Sequence, residues 1–298
     1  MMQDKVLHNT LSQRMKSFYE EYFDRAPENR FESFLAGGHR SLPVMLDCLE
    51  SDEADAEART DALIAIGRVF EANGPTADAL DMVVHHAKRM ADAGMTAERQ
   101  AALFAIGRSR AESLIKSFLP LIDSDTTEAI NIGCRIMGYA RWGGAVDAIS
   151  KVASQKDPKT LHASTWALGE IGGEAAVKAL LDLLNDEVSL EHALDGLTAA
   201  TPLAALEAMV GLLSHENTKI RLSAMIGVRS VVVEHKETLL TKGADWMLNA
   251  LNKAVEDSTP PVGVFAMLTL AELGRKLDKE AAYRVLNIQG RPEQASAN

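Results

Sequence analysis

The side chains that could bind a metal ion or act as a nucleophile are few and widely separated in this sequence of 298 residues. The densest group begins with His85 and His86, but adjacent residues on a helix point about 100° apart, so the two imidazoles are poorly placed to share one metal ion. The two cysteines, Cys48 and Cys134, fall inside helical patterns, where we expect buried, reduced thiols. These residues indicate no metal site and no bound cofactor.

Phosphate-binding loops and catalytic triads are also missing from the sequence. The Gly-Gly pairs at 143–144 and 172–173 lack the lysine and the hydroxyl residue that complete a phosphate-binding loop. No serine stands in the turn pattern that exposes the nucleophile of a hydrolase. The sequence therefore predicts that the protein is not an enzyme.

The elements that carry these residues form a repeated pattern of two apolar helices and an acidic stop. The clearest copy has a first helix and its turn at 161–173, a second helix at 174–184 and an acidic stop at Asp186. An apolar residue followed by glycine recurs at steps of roughly 30 residues, which is typical of a helical solenoid. The glycines of this column, which we expect at the turn between the helices of a pair, are Gly67, Gly107, Gly138 and Gly169.

The spacing of apolar residues identifies the segments as helices. In the second helix of the clearest copy, Val177, Leu180, Leu181 and Leu184 follow the i, i+3, i+4, i+7 spacing of one helical stripe. Long alternating runs of β-branched residues are absent from the sequence. We therefore expect an all-α fold, a right-handed α-solenoid of about seven to eight helix pairs.

The same pattern predicts one continuous domain with short additions at both ends. Residues 28–288 form the solenoid, because no linker or change of composition divides them. Residues 1–27 contain an amphipathic stretch that we expect to form a capping helix over the first pair. The polar residues 289–298 are expected to be a disordered tail.

The charge pattern bears on the class of partner. The formal net charge of -11 argues against a nucleic-acid partner, because binding to a phosphate backbone needs clustered lysines and arginines. One column of the second helices alternates in sign through Lys116, Asp147, Lys178 and Glu207, so it makes no continuous basic stripe. No segment has the roughly 18 apolar residues of a membrane span, and no signal peptide is recognisable, which favours the cytoplasm.

The repeats resemble the short HEAT-like repeats first described in phycobilin lyase subunits. The segment 166–172 carries the Ala-Leu-Gly-x-Ile-Gly part of their pattern, and 176–184 carries the apolar second helix. Weaker copies at 64–67 and 104–107 extend the resemblance over approximately residues 28–288. The resemblance implies a protein-recognition scaffold, since such repeats mostly bind proteins, although the family also includes bilin lyases.

A second resemblance, to deoxyhypusine hydroxylase, implies a di-iron centre held by His-Glu pairs from separate repeats. His162 stands near the expected position, but Ala163 replaces the glutamate. The next repeat has Glu191 and His192 in reversed order, and the His-Glu pair at 215–216 falls in a connection between repeats. The sequence therefore disfavours this enzyme, and we expect no cofactor.

Two surfaces are candidates for binding a protein. Phe104 and Trp166 share a column of the first helix with Arg135 and Asp195, and the charged members indicate that this column is partly exposed. The second surface is the inner face, which we expect the second helices to line with mixed charges. Its candidate residues are His85, Lys116, Asp147, Lys151, Lys178, Asp182 and Glu207.

We therefore predict a cytoplasmic protein–protein interaction scaffold that needs no cofactor. One alternative is an accessory protein or enzyme of bilin or cofactor attachment, as the family resemblance allows. The other is an acidic protein that neutralises a basic effector, which the net charge allows.

Overall fold

The computed structural model describes residues 37–50, 54–90, 96–243 and 245–275, and these residues form 15 α-helices. The helices, in chain order, are α1 (Leu42–Glu50), α2 (Ala56–Asn73), α3 (Ala77–Arg89), α4 (Ala97–Arg108), α5 (Glu112–Ser117), α6 (Thr127–Ala140), α7 (Val146–Ser154), α8 (Pro158–Ile171), α9 (Gly173–Leu183), α10 (Leu190–Ala200), α11 (Leu206–Gly211), α12 (Thr218–Glu234), α13 (Lys236–Lys242), α14 (Asp245–Val255) and α15 (Pro260–Glu272). Short 3-10 turns extend several connections, and no strand occurs in the described ranges. The predicted capping helix at 1–27 and the tail at 289–298 lie outside the described residues.

The helices alternate between two layers. The first helices of the pairs are α2, α4, α6, α8, α10, α12 and α15, and each packs on the next one in this series. The second helices are α1, α3, α5, α7, α9, α11 and α14, and α13 is an additional short helix after α12. This sequential packing confirms the predicted all-α solenoid.

Local capping explains where the helices begin. In the clearest copy, Asp157 caps α8 by accepting a hydrogen bond from the Lys159 N–H at 3.1 Å, and Pro158 follows at the first helical position. The helix ends at Ile171, and Gly172 and Gly173 follow it. Their φ angles of 65° and 78° lie in the left-handed region that favours glycine. The Gly-Gly pair at 172–173 therefore makes the tight turn that the sequence predicts.

The apolar core lies between the two layers and runs along the array. It consists of two adjoining clusters, one from α1 to α6 and one from α5 to α15. Both clusters include residues of α6, where Ile136 and Met137 are fully buried but belong to different clusters. No helix in the described ranges combines the length and the apolar character that a bilayer crossing requires.

Ion pairs connect consecutive repeats at the ends of the first helices. Four of them are Arg59–Glu98 (2.7 Å), Arg99–Glu128 (2.6 Å), Lys156–Asp186 (2.7 Å) and Arg221–Asp257 (2.6 Å). The last pair is the best protected, because both of its side chains are about nine-tenths buried. Such pairs fix the position of one repeat on the next.

Candidate functional site

The glycine column lies inside the first helices, not in the turns where we expected it. Gly67 lies well inside α2, whereas Gly107, Gly138 and Gly169 lie in the last turns of α4, α6 and α8. A Cβ atom on Gly169 would lie 2.4 Å from the carbonyl oxygen of Gly196 in α10 and 2.9 Å from its Cα. The glycines are therefore needed because consecutive first helices approach one another almost backbone to backbone.

Two aromatic rings use the space that these glycines leave. A Cβ atom on Gly67 would lie 2.6 Å from the ring of Phe104, and one on Gly138 would lie 2.7 Å from the ring of Trp166. In each case the ring belongs to the following first helix and lies over the glycine of the preceding one. The rings of Phe104 and Trp166 therefore pack directly on the backbone of the preceding helix, because glycine has no side chain.

The rings form a continuous series across three first helices. Phe104 of α4 meets Tyr139 of α6 edge to face, with ring centroids 5.4 Å apart and an interplanar angle of 90°. Tyr139 meets Trp166 of α8 at 4.8 Å and 70°. Edge-to-face contacts at these distances are the favourable arrangement for aromatic pairs. All three residues are half-buried, so the series reaches the surface.

Arginines stack on the rings of this series. The guanidinium carbons of Arg68 and Arg108 lie 5.8 Å and 5.4 Å from the centre of the Phe104 ring. The guanidinium carbon of Arg135 lies 5.7 Å from the centre of the Trp166 ring. These distances fall within the range of cation–π contacts. We call the six residues the aromatic–arginine strip: Arg68, Phe104, Arg108, Arg135, Tyr139 and Trp166.

The residues of the strip come from two positions of the first helices, and these positions are four residues apart. Phe104 and Arg108 occupy them in α4, whereas Arg135 and Tyr139 occupy them in α6 in the opposite order. Because the order of the two residues is reversed between α4 and α6, Phe104 lies beside Tyr139, and the arginines Arg108 and Arg135 lie next to this aromatic series. The sequence prediction followed a single position in each helix, so it found Phe104 and Trp166 but missed Tyr139.

Arg108 is the most buried arginine of the strip. It donates a hydrogen bond from Nη1 to Glu71 Oε1 at 2.9 Å, and Nη2 lies 3.9 Å from a carboxylate oxygen of Glu170. Burial lowers the pKa of Arg108, although the two glutamates oppose this effect. Arg141, directly after α6, also approaches Glu170, at 3.8 Å. The glutamates thus flank the strip and hold its arginines in place.

Two histidines continue the surface beyond Trp166. His162, one turn before Trp166 in α8, meets His192 of α10 with ring centroids 5.7 Å apart. Partial burial lowers the pKa of His162, and the charges of His192 and Arg135 act in the same direction. In the described ranges, no group of three or more His, Cys, Asp or Glu residues is arranged to hold a metal ion.

The adjacent histidines of α3 have different roles. His85 is exposed, whereas His86 is buried, with its Nε2 2.7 Å from Glu98 Oε1. Because Arg89 donates to Nδ1 of His86 at 2.9 Å, the ring proton lies on Nε2 and is donated to Glu98. His86 is therefore a structural residue that connects α3 to α4. His85, the predicted binding residue, lines a shallow cavity of about 300 Å³ with Met82 nearby.

The other residues predicted for the inner face all lie exposed on the second helices or the turns that extend them. They are Lys116, Asp147, Lys151, Lys178, Asp182 and Glu207. Lys116 is paired with Glu112 on its own helix at 2.6 Å. Lys178 borders an apolar groove of about 480 Å³ that Val177, Leu181 and Leu203 also line. The structure therefore places these residues at the surface, on four of the second helices.

The two layers differ in how closely their helices lie. Neighbouring first helices contact one another along much of their length, whereas neighbouring second helices touch at few points. The aromatic–arginine strip lies on the more closely packed layer, that of the first helices. The expectation that the second helices line the inner face stays a prediction.

Comparison with known proteins supports the repeat interpretation. The family model of the PBS lyase HEAT-like repeat matches residues 160–186, which comprise most of α8 and all of α9. This match covers one helix pair, and the structure shows that similar pairs precede and follow it. A comparison with curated proteins gives no significant match.

Several solved structures are similar to the chain at low identity. An engineered protein is 16% identical, with a TM-score of 0.42, and the match covers 80% of this chain and 69% of that one. A designed armadillo repeat protein in complex with the peptide (KR)4 is 17% identical, with a TM-score of 0.42, and the match covers 78% and 99% of the two chains. Human deoxyhypusine hydroxylase in complex with glycerol is 15% identical, with a TM-score of 0.36, and the match covers 92% and 99%.

At these levels the similar structures carry no inference about activity or ligand. The fold is classified from the matched repeat and from the packing of the helices. The chain is an all-α solenoid whose segment 160–186 is similar to the PBS lyase HEAT-like repeat.

Proposed function

We propose that the protein is a cytosolic, non-enzymatic scaffold that binds a partner protein along the aromatic–arginine strip. The observation that carries this proposal is the continuous contact from Phe104 through Tyr139 to Trp166, with arginines stacked on the rings. Tryptophan, tyrosine and arginine are the residues that dominate the energy of protein interfaces. Here they lie together on the layer of the first helices.

The geometry suits recognition because the surface is preformed. The rings of Phe104 and Trp166 are held over the glycines of the preceding helices, and arginines are positioned by the rings and by the flanking glutamates Glu71 and Glu170. A partner that binds here meets side chains whose freedom is already restricted, so less conformational entropy is lost on binding. The strip spans four consecutive first helices, α2 to α8, which suits an extended segment of a partner.

The test is affinity purification of the tagged protein from its native cells, with identification of the proteins that co-purify. Trp166→Ala should abolish the recovery of a stoichiometric partner, because it removes the largest ring of the strip. The matched control is Trp246→Ala, since Trp246 of α14 is 51% exposed and lies outside the strip. Circular dichroism of both variants shows whether they are folded.

The same purification tests the alternative that concerns bilin attachment. A visible absorbance spectrum of the purified protein should show no pigment, and the partner should be retained by Trp246→Ala. A coloured sample without a protein partner would overturn the scaffold proposal and favour the lyase-type alternative. A partner that both variants retain would place the binding surface elsewhere on the solenoid.

A further inference from the structure

The aromatic–arginine strip has the opposite charge to the rest of the chain. The protein as a whole has a formal net charge of -11. The strip and the residues that contact it, however, contain four arginines and two glutamates. The glutamates are Glu71 and Glu170, and the arginines are Arg68, Arg108, Arg135 and Arg141. The strip is therefore a local basic surface on an acidic solenoid.

Three of these arginines have donors that remain available. The side chains of Arg68 and Arg141 are 54% and 55% exposed, and each lies 3.8 Å from its nearest glutamate oxygen, beyond normal hydrogen-bond length. Arg135 has no carboxylate within ion-pair distance among the residues that the structure describes; it stacks on Trp166 and contacts the Tyr139 hydroxyl, which takes only one of its five N–H donors. A stacked guanidinium has a covered face, but its N–H groups point outward in the plane, where they suit a carboxylate.

We propose that the occupant of the strip is an acidic segment of the partner protein, in which carboxylates alternate with apolar side chains. The carboxylates would accept hydrogen bonds from Arg68, Arg135 and Arg141. The apolar side chains would pack on the exposed edges of Phe104, Tyr139 and Trp166. This inference rests on the proposed function and assigns the chemical class of the partner.

The charge of the whole chain favours a short acidic segment over a long polyanion. The Debye length is about 8 Å at physiological ionic strength, so contacts within the strip persist while distant acidic residues are screened. A nucleic acid would extend past the strip over the acidic surface and gain little from counterion release there. A partner segment needs only a few carboxylates, spaced to meet the arginines of successive helices.

The experiment measures binding of fluorescein-labelled probes by fluorescence anisotropy at physiological salt. The probes are a short peptide of alternating Glu and Leu, the corresponding peptide of Lys and Leu, and a short oligouridylate. We expect the Glu–Leu peptide to bind at least about tenfold more tightly than either of the other probes. Tighter binding of the Lys–Leu peptide or of the oligouridylate, or no binding of the Glu–Leu peptide, overturns the inference.

Variants locate the bound peptide. Arg135→Gln should weaken binding of the Glu–Leu peptide about tenfold, and Arg141→Gln, an exposed residue outside the helices, should weaken it severalfold. Lys178→Gln makes the same change of charge on α9, in the layer of the second helices, and should change the affinity less than about twofold. An equal effect of Lys178→Gln and Arg135→Gln contradicts the inference.

The two proposals can fail separately. If the co-purifying partner depends on Trp166 but the peptides show no preference for acidic charge, the scaffold function stands and the acidic class is wrong. If the partner is recovered with Trp166→Ala and no peptide binding depends on Arg135, both proposals are wrong.

Discussion

Gly169 of α8 and Gly196 of α10 lie against each other, so that a Cβ atom on Gly169 would be 2.4 Å from the Gly196 carbonyl oxygen. In the other direction, a Cβ atom on Gly196 would be 2.6 Å from the carbonyl oxygen of Thr165. The obstructing atoms belong to the backbone, which cannot rotate away as a side chain can. This contact sets the distance between two consecutive first helices.

Gly169→Ala should therefore destabilise the protein, although alanine is the better helix former. Overpacking of a tight interface costs about 1–3 kcal/mol, which exceeds the gain of up to about 1 kcal/mol in helix propensity. The measurement is urea unfolding followed by circular dichroism. Gly211→Ala is the matched control, because Gly211 also lies in a helix and a Cβ atom there would meet nothing within 4 Å. A Gly169→Ala variant as stable as Gly211→Ala would contradict the close approach of α8 and α10.

The ring of Trp166 is the subject of a related prediction. Gly138→Ala places a methyl group 2.7 Å from this ring and 3.1 Å from the Cα of Ala167, so the indole must shift. We expect a change in the tryptophan fluorescence of the folded protein and a loss of stability of about 1–3 kcal/mol. Gly143→Ala, where nothing lies within 4 Å, should leave both quantities unchanged. An unchanged emission spectrum in Gly138→Ala would show that the ring does not lie over Gly138.

The repeat period was sufficient to predict the fold. The spacing of Leu168-Gly169 and its counterparts gave the all-α solenoid, because apolar periodicity depends only on local helix geometry. The position of the glycines was wrong, since glycine serves both in turns and where two helices approach closely. Only the distance between α8 and α10 distinguishes these two uses, and that distance is a tertiary property.

The candidate site could be predicted only in part. Phe104 and Trp166 were found because they share a column, whereas Tyr139 joins them from the position one turn later. The signal was present in the sequence, since α4 and α6 each carry an aromatic residue and an arginine four positions apart. The roles of His85 and His86 could not be separated, because the rotation of α3 about its axis decides which ring is buried.

The two cysteines should differ in their reactivity with the thiol reagent DTNB. Cys134 is fully buried, and burial raises its pKa to about 12, so it has almost no thiolate at neutral pH. Cys48 is only half-buried. We expect one thiol to react in the folded protein and the second to react only after unfolding. Cys48→Ser should remove the reaction of the folded protein, and rapid reaction of both thiols would contradict the burial of Cys134.

Glu98 is the acceptor that joins α2, α3 and α4. Burial raises its pKa, but the hydrogen bonds from Arg59 and His86 outweigh this effect and lower it. Glu98→Gln should cost about 2 kcal/mol, because it removes the charge that both donors contact. Urea unfolding measures this loss, and Glu207→Gln, an exposed position on α11, is the matched control. Equal stability of the two variants would show that the connection through Glu98 contributes nothing.

The Arg221–Asp257 pair gives a prediction about pH. Burial raises the pKa of Asp257, but hydrogen bonds from Arg221 and from the backbone N–H of Thr259 at 2.8 Å outweigh this effect and lower it. A carboxyl whose pKa is lower in the folded than in the unfolded protein stabilises the fold when both states are ionised. This contribution is complete at neutral pH and is lost as the pH falls below about 4.

Asp257→Asn should therefore cost about 2 kcal/mol at pH 7, and the difference from the wild type should shrink in acid. The measurement is the free energy of unfolding in urea across this range of pH. Asp182→Asn is the matched control, since Asp182 is exposed and forms no ion pair among the described residues. We expect it to behave like the wild type throughout. A constant difference between Asp257→Asn and the wild type would mean that packing, not the ionised pair with Arg221, makes Asp257 important.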